Sequence, residues 1–89
     1  MMTYDDWRAS NPLAKFIAER DVKTDVMSAL LCASPQLVRH WLIGGSRPND
    51  TGFDGIARIT GIARDELVAA WDTWLAQRAT IDVDDALRF

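Results

Sequence analysis

Residues 34–48 have the sequence Ser-Pro-Gln-Leu-Val-Arg-His-Trp-Leu-Ile-Gly-Gly-Ser-Arg-Pro, which predicts one short helix with two different faces. At about 100° per residue, the apolar face comprises Leu37, Val38, Trp41 and Leu42. The opposite face comprises Gln36, Arg39, His40 and Ile43. Ser34 is a suitable N-cap before a proline, and Gly44-Gly45 is a stop signal. The outer face is either an ordinary solvated surface or a set of donors for base edges and phosphates.

The composition predicts one globular domain. With 89 residues, 48% apolar and 26% charged, the chain can bury a single modest core. Its one cysteine excludes an intramolecular disulfide and fits a reducing compartment. The first residues lack a signal-peptide pattern, and no apolar stretch approaches the ~20 residues that cross a bilayer. We therefore expect a cytoplasmic protein without a membrane partner.

The charge is small and unevenly distributed along the chain. A net charge of −3 argues against a strongly basic nucleic-acid-binding protein, but residues 13–62 carry +1 and residues 63–89 carry −3. No acidic residue occurs between Val26 and Asn49. That window contains Arg39, His40 and Arg47. Because the local field matters more than the total charge, this window remains compatible with DNA binding.

The hydrophobic pattern predicts five helices and no convincing sheet, within a domain covering residues 13–78. The helices are expected to begin at Asn11-Pro12 and then to cover about Thr24–Leu31, Pro35–Ile43, Thr51–Thr60 and Arg64–Arg78. The inward side chains of the second should be Val26, Met27, Leu30 and Leu31. Residues 1–12 form an N-terminal extension, in which Tyr4 and Trp7 would allow a short extra turn. Residues 79–89 form an acidic tail that is either a short strand or a frayed end.

Several motifs occur in a fixed order. A three-residue turn, Cys32-Ala33-Ser34, joins two short helices, and Trp41-Leu42-Ile43-Gly44 is followed by Arg47-Pro48. Residues 61–67 combine Gly, an aliphatic residue and Asp-Glu-Leu. Over about Leu13 to Leu67, this order resembles the helix-turn-helix domain of the phage-repressor and Cro-like (Xre-type) family. The resemblance implies an all-α, compact five-helix phage-repressor-like fold.

The chain departs from the family pattern at Lys23-Thr24, Ser28, Cys32 and Ala63, and the last two bear on local structure. Cys32 stands in the turn where the family usually has glycine, and a left-handed conformation there would cost on the order of 1 kcal/mol. Ala63 is a poor N-cap for the last helix, where the family often has serine. Both departures leave the fold assignment intact.

The resemblance implies a small transcriptional regulator that binds double-stranded DNA sequence-specifically, as a dimer on a palindromic operator. Phosphate contacts are implied for Thr24 and Arg47. Ser34 and Gln36 would enter the major groove, with Gln36 bonding adenine through N6 and N7. Arg39 and His40 would each contact either guanine or a phosphate. The rival interpretation is a protein-interaction module, such as an antitoxin, antirepressor or scaffold piece, which the low net charge and acidic tail favour.

Enzymatic and metal-binding roles have no support in the sequence. Cys32 and His40 lie eight residues apart on different elements, and no third catalytic group is evident. One cysteine and one histidine cannot build the usual structural zinc site. We expect no enzyme activity, no metal and no cofactor. A regulatory protein remains a possible further partner.

The four tryptophans raise the question of what covers them. Trp41 is predicted in the core. Trp71 and Trp74 share a stripe of the last helix with Leu75, and a small body has difficulty covering both tryptophans. Either the core wraps over them, or they form a homodimer interface, perhaps with the tail, which is the interpretation we favour. In such a dimer the acidic side chains would point away from DNA: Asp82, Asp84 and Asp85.

Overall fold

The computed structural model describes residues 3–81, which form an all-α fold. Its helices are α1 (Tyr4–Ala9), α2 (Pro12–Arg20), α3 (Thr24–Leu31), α4 (Pro35–Leu42), α5 (Asp50–Thr60) and α6 (Arg64–Ala76), followed by a 3₁₀ turn (Gln77–Thr80). The all-α class is confirmed, with no strand among the described residues. There is one α-helix more than the five expected, because part of the predicted extension forms α1. No helix within residues 3–81 has the length and apolarity needed to span a membrane.

Side-chain caps begin most of these helices, at Asn11 and Ser34 as the sequence predicts and also at Thr3 and Asn49. Asn11 Oδ1 accepts hydrogen bonds from the N–H groups of Leu13 and Ala14, and Asn49 Oδ1 accepts one from Gly52. These caps satisfy backbone donors that have no partner inside the helix. Helix α6 begins after Ala63 without a side-chain cap, as expected for alanine.

Trp71 and Trp74 both lie in the core of a single chain, with 0% and 2% of their surfaces exposed. The expectation that the body is too small to cover both is wrong, because α1 supplies the missing cover. Trp7 stacks on Trp74 with ring centroids 4.2 Å apart, and Phe53 packs edge-on against Trp71. Leu75 is half-buried. Homodimer formation therefore stays a prediction, but the two tryptophans are buried and do not form an exposed stripe for it. The proposed tail contacts at residues 82–89 lie outside the described residues.

The stacked tryptophans, Trp7 of α1 and Trp74 of α6, are also joined by two reciprocal hydrogen bonds. Trp7 Nε1 donates to the Trp74 carbonyl, and Trp74 Nε1 donates to the Trp7 carbonyl, each at 2.7 Å. The Trp7 ring reaches Gly44, just beyond α4, where a Cβ atom would stand 2.7 Å from the ring. Gly44 also has a positive φ of 76°, which favours glycine. One indole thus fixes the ends of two helices against α1.

The turn between α3 and α4 has the left-handed residue expected at Cys32, with φ 53° and ψ 38°. Its N–H donates to the Ala29 carbonyl, and the next N–H, of Ala33, donates to Ser28. These two bonds end α3 abruptly and redirect the chain. Trp41, on α4, is buried as predicted.

Three apolar side chains predicted to face inward are exposed instead: Val26 at 51%, Leu30 at 52% and Leu37 at 42%. In α4 the buried side chains are Val38 and Trp41, and Leu37 lies about 70° from the midpoint between them on a helical wheel. In α3 the buried side chains are Met27 and Ser28, which turns the other side of that helix to solvent. The prediction of burial was wrong at these positions because each helix carries an apolar stripe that is wider than its contact with the core.

We expect Trp7→Phe and Trp74→Phe each to lower the free energy of unfolding by about 0.5–1.5 kcal/mol, because each removes one indole N–H that donates to a buried carbonyl. Chemical denaturation of both single variants and the double variant measures this. The two costs should be non-additive by at least about 0.5 kcal/mol, because the rings also stack. Strictly additive costs would show that the two indoles act independently.

We expect Cys32→Gly to stabilise the protein by about 0.5–1 kcal/mol, because glycine adopts the left-handed conformation without Cβ strain. Cys32→Ala is the matched control, since it removes the thiol but keeps the Cβ atom. Thermal melts should therefore show a gain only for glycine. Equal midpoints for the two variants would mean that the turn carries no strain.

Candidate nucleic-acid interface

Helix α4 is a short element that is anchored on one side and exposed on the other. Val38 and Trp41 hold it in the core, while Gln36, Arg39 and His40 are exposed on its outer side. Helices α3 and α4 pack against each other across their three-residue turn. The chain therefore presents three side chains capable of hydrogen bonding from a helix whose orientation is set by burial.

The N-terminal end of α4 is capped by Ser34. Its Oγ accepts a hydrogen bond from the Leu37 N–H at 3.1 Å. The hydroxyl proton remains available to a second acceptor, and the side chain is exposed.

Thr24 is the half-buried first residue of α3, and Lys23 before it makes no side-chain cap. The first N–H groups of α3 thus lack a side-chain acceptor, which suits an anion at that end.

Beyond α4, the chain turns closely around His40. The Gly45 N–H donates to the His40 carbonyl at 2.9 Å. A Cβ atom at Gly45 would lie 3.1 Å from His40 Nδ1, so this glycine leaves space for the imidazole. The second glycine of the predicted stop signal therefore also positions a side chain of the outer face.

Arg39 is partly engaged by an acidic residue that sequence reasoning left out. Its Nη2 lies 3.6 Å from Asp25 Oδ1 on α3, and both side chains are largely exposed. Asp25 stands one position before the acid-free window that starts at Val26, yet helix packing carries its carboxylate to α4. An exposed pair of this length is weak, so a phosphate can compete for the guanidinium.

Arg47 is held within the chain much more closely. Its Nε donates to Asp72 Oδ1 at 2.8 Å and its Nη2 to Asp72 Oδ2 at 3.3 Å. The guanidinium carbon lies 4.9 Å from the centre of the Phe53 ring. The hydrogen bond that Arg47 donates to the Asp72 carboxylate raises the pKa of Arg47 above its usual value. Arg47 thus ties the loop after α4 to α6, and a phosphate contact would have to share it with Asp72.

The described residues also form a groove that is separate from α4, and they form no cluster of metal-binding side chains. An open groove of about 760 Å³ runs between α2 and α6, lined by Phe16, Thr73 and their neighbours, with no residue of α3 or α4. Within residues 3–81, no three His, Cys, Asp or Glu side chains come together as metal ligands. The outer side of α4 is the candidate interface because its exposed hydrogen-bonding side chains stand on a helix that buried side chains anchor in the core.

We expect Ser34→Ala to cost about 0.5–2 kcal/mol of stability, because it removes the acceptor that caps α4. Ser46→Ala is the matched control. Ser46 Oγ is buried without a hydrogen-bond partner among the described residues, so its removal should cost nothing or stabilise. Thermal denaturation compares the two. An equal loss in both variants would remove the capping role of Ser34.

A comparison with protein-family models found no match for this chain, and comparisons with curated proteins and with solved structures found none either.

Proposed function

We propose that the chain is a phage-repressor-like helix-turn-helix protein that binds double-stranded DNA sequence-specifically, as a small cytoplasmic transcriptional regulator without enzyme activity. The observation that carries this proposal is the outer side of α4. Gln36, Arg39 and His40 are exposed there, on a helix that Val38 and Trp41 anchor in the core. A short, rigidly held helix after a tight turn is the element that such proteins insert into the major groove.

The chemistry of each side chain supports a distinct role. The major groove is about 12 Å wide and admits one α-helix, with its N-terminal residues deepest. Gln36, in the first turn of α4, is placed to bond adenine through N6 and N7. His40, one turn later, shares its side of the helix and would contact a guanine or a phosphate. Arg39 would exchange its weak pair with Asp25 for a phosphate.

The partners follow from the same geometry. Two chains are needed to read a palindrome, with recognition helices about 34 Å apart. We propose a homodimer, formed in solution or on the DNA, that uses surfaces other than the buried Trp71 and Trp74. The modest charge means that few phosphates are neutralised, so the affinity should depend moderately on salt.

A second candidate is a protein-interaction module on the same fold. It is favoured by the exposed apolar side chains of α3, Val26 and Leu30. It is favoured also by the internal ion pairs of Arg39 and Arg47, which reduce the free positive charge. Such a module would bind its partner with little dependence on salt, whereas DNA binding should weaken as salt rises, with a slope of about −0.9 per phosphate contact.

Selection of bound sequences from a random duplex pool tests the first proposal. We expect a consensus palindrome to be enriched. Gln36→Ala should then cost about 1–3 kcal/mol on the selected site and little on random DNA. Absence of any enriched sequence would overturn DNA recognition and leave the interaction module.

We expect Asp72→Asn to strengthen DNA binding, because it releases Arg47 for a phosphate. The slope of the logarithm of the DNA-binding constant against the logarithm of the salt concentration should steepen by about 0.9, the value for one phosphate contact. This change should come in addition to any effect of the altered net charge. Asp65→Asn, on the first turn of the same helix, removes the same charge without touching Arg47 and serves as the control. An identical change in both variants would show that only net charge matters.

A further inference from the structure

Leu37 is exposed at the edge of the outer side of α4, where an apolar side chain meets the polar ones. Within residues 3–81, the exposed large apolar side chains are Val26, Leu30 and Leu37, all on α3 and α4. Leu37 follows Gln36 directly and precedes His40 by three positions, which places it about 60° from His40 on the helical wheel. Ile43, which the helical period places on the outer side, is half-buried, so Leu37 is the exposed large apolar side chain nearest to the proposed base-reading surface.

The surroundings of Leu37 combine apolar side chains with one arginine. Leu37 lines a shallow depression of about 260 Å³ between the start of α4 and the start of α5. The lining includes Ala33, Trp41 and Thr51, contains no acidic side chain, and has Arg47 as its one charged residue. An apolar wall beside a guanidinium that a phosphate can share with Asp72 suits a base edge with its neighbouring phosphate.

We propose that Leu37 contacts the C5-methyl group of thymine, and that it makes the chain select an A·T pair beside the one that Gln36 reads. This inference rests on the proposed DNA binding. The thymine methyl is the one apolar group that base pairs present in the major groove, and aliphatic side chains recognise it. A protein ligand would find its apolar contacts on Val26 and Leu30 of α3, whereas Leu37 lies among hydrogen-bonding side chains.

Replacing thymine by uracil tests the contact, because uracil lacks only the methyl group. In the selected duplex, each thymine is replaced singly and binding to the full chain is measured. Wild type should lose about fourfold in affinity at one or two positions per half-site, the effect of one methyl group leaving an apolar contact. Leu37→Ala should bind thymine and uracil duplexes equally, and Leu30→Ala, the matched control on α3, should keep the wild-type difference.

Each outcome separates this inference from the proposed function. If no duplex is enriched from the pool, DNA recognition and the methyl contact both fall. If a duplex is enriched and Gln36→Ala impairs it, but wild type is indifferent to uracil at every position, the function stands and the role of Leu37 falls. Uracil sensitivity that persists in Leu37→Ala also overturns the role, because another side chain then makes the contact.

Discussion

The reciprocal pairing of Trp7 with Trp74 is the interaction on which the rest of the structure depends. The last four carbonyls of a helix have no partner inside it. The Trp74 carbonyl belongs to the last turn of α6 and the Trp7 carbonyl to the last turn of α1, and each accepts the indole N–H of the other residue. The two helix ends are thus joined to one another, and the rings stack beside both bonds. The Trp7 carbonyl also accepts hydrogen bonds from the Ser10 N–H and hydroxyl.

The same pairing also holds the end of α4, the helix proposed to contact DNA. The Trp7 ring also lies against Gly44, the second residue after α4, and the Arg78 guanidinium lies over the same ring. The C-terminal end of α4 is thereby fixed by residues from both ends of the described chain. In the proposed function, α4 needs a defined orientation to place its side chains against bases, so α1 would contribute to that placement although it carries none of the proposed contacts.

Arginine–aspartate pairs between separate elements set the charge pattern around this surface. Arg39 pairs with Asp25, Arg47 with Asp72, and Arg64 with both Asp50 and Asp54. Pairs at exposed sites contribute little stability. Their larger effect is to neutralise cations that the linear sequence shows as free. Binding to a polyanion then requires exchange of partners, which makes the affinity sensitive both to salt and to the neighbouring carboxylates.

Much of the local structure was determined by the sequence alone. The starts of α3, α4 and α6, the caps at Asn11 and Ser34, and the left-handed turn at Cys32 all follow from residues within one helical turn of each other. Caps, prolines and glycines act through bonds to near neighbours, so their effect is visible in a short window. The exposed positions of Gln36, Arg39 and His40 were likewise predictable from the helical period, given one buried anchor such as Trp41.

Only the tertiary structure decided which apolar side chains find a partner and which charges are paired. Trp74 is buried because Trp7, 67 positions away, covers it, and no local signal announces that contact. Leu37 is exposed because the core beneath α4 has room for Val38 and Trp41 and for little more. Arg47 is engaged because packing brings α6 beside the loop after α4. Burial and ion pairing sum over residues distant in the chain, so a pattern read along the sequence cannot contain them.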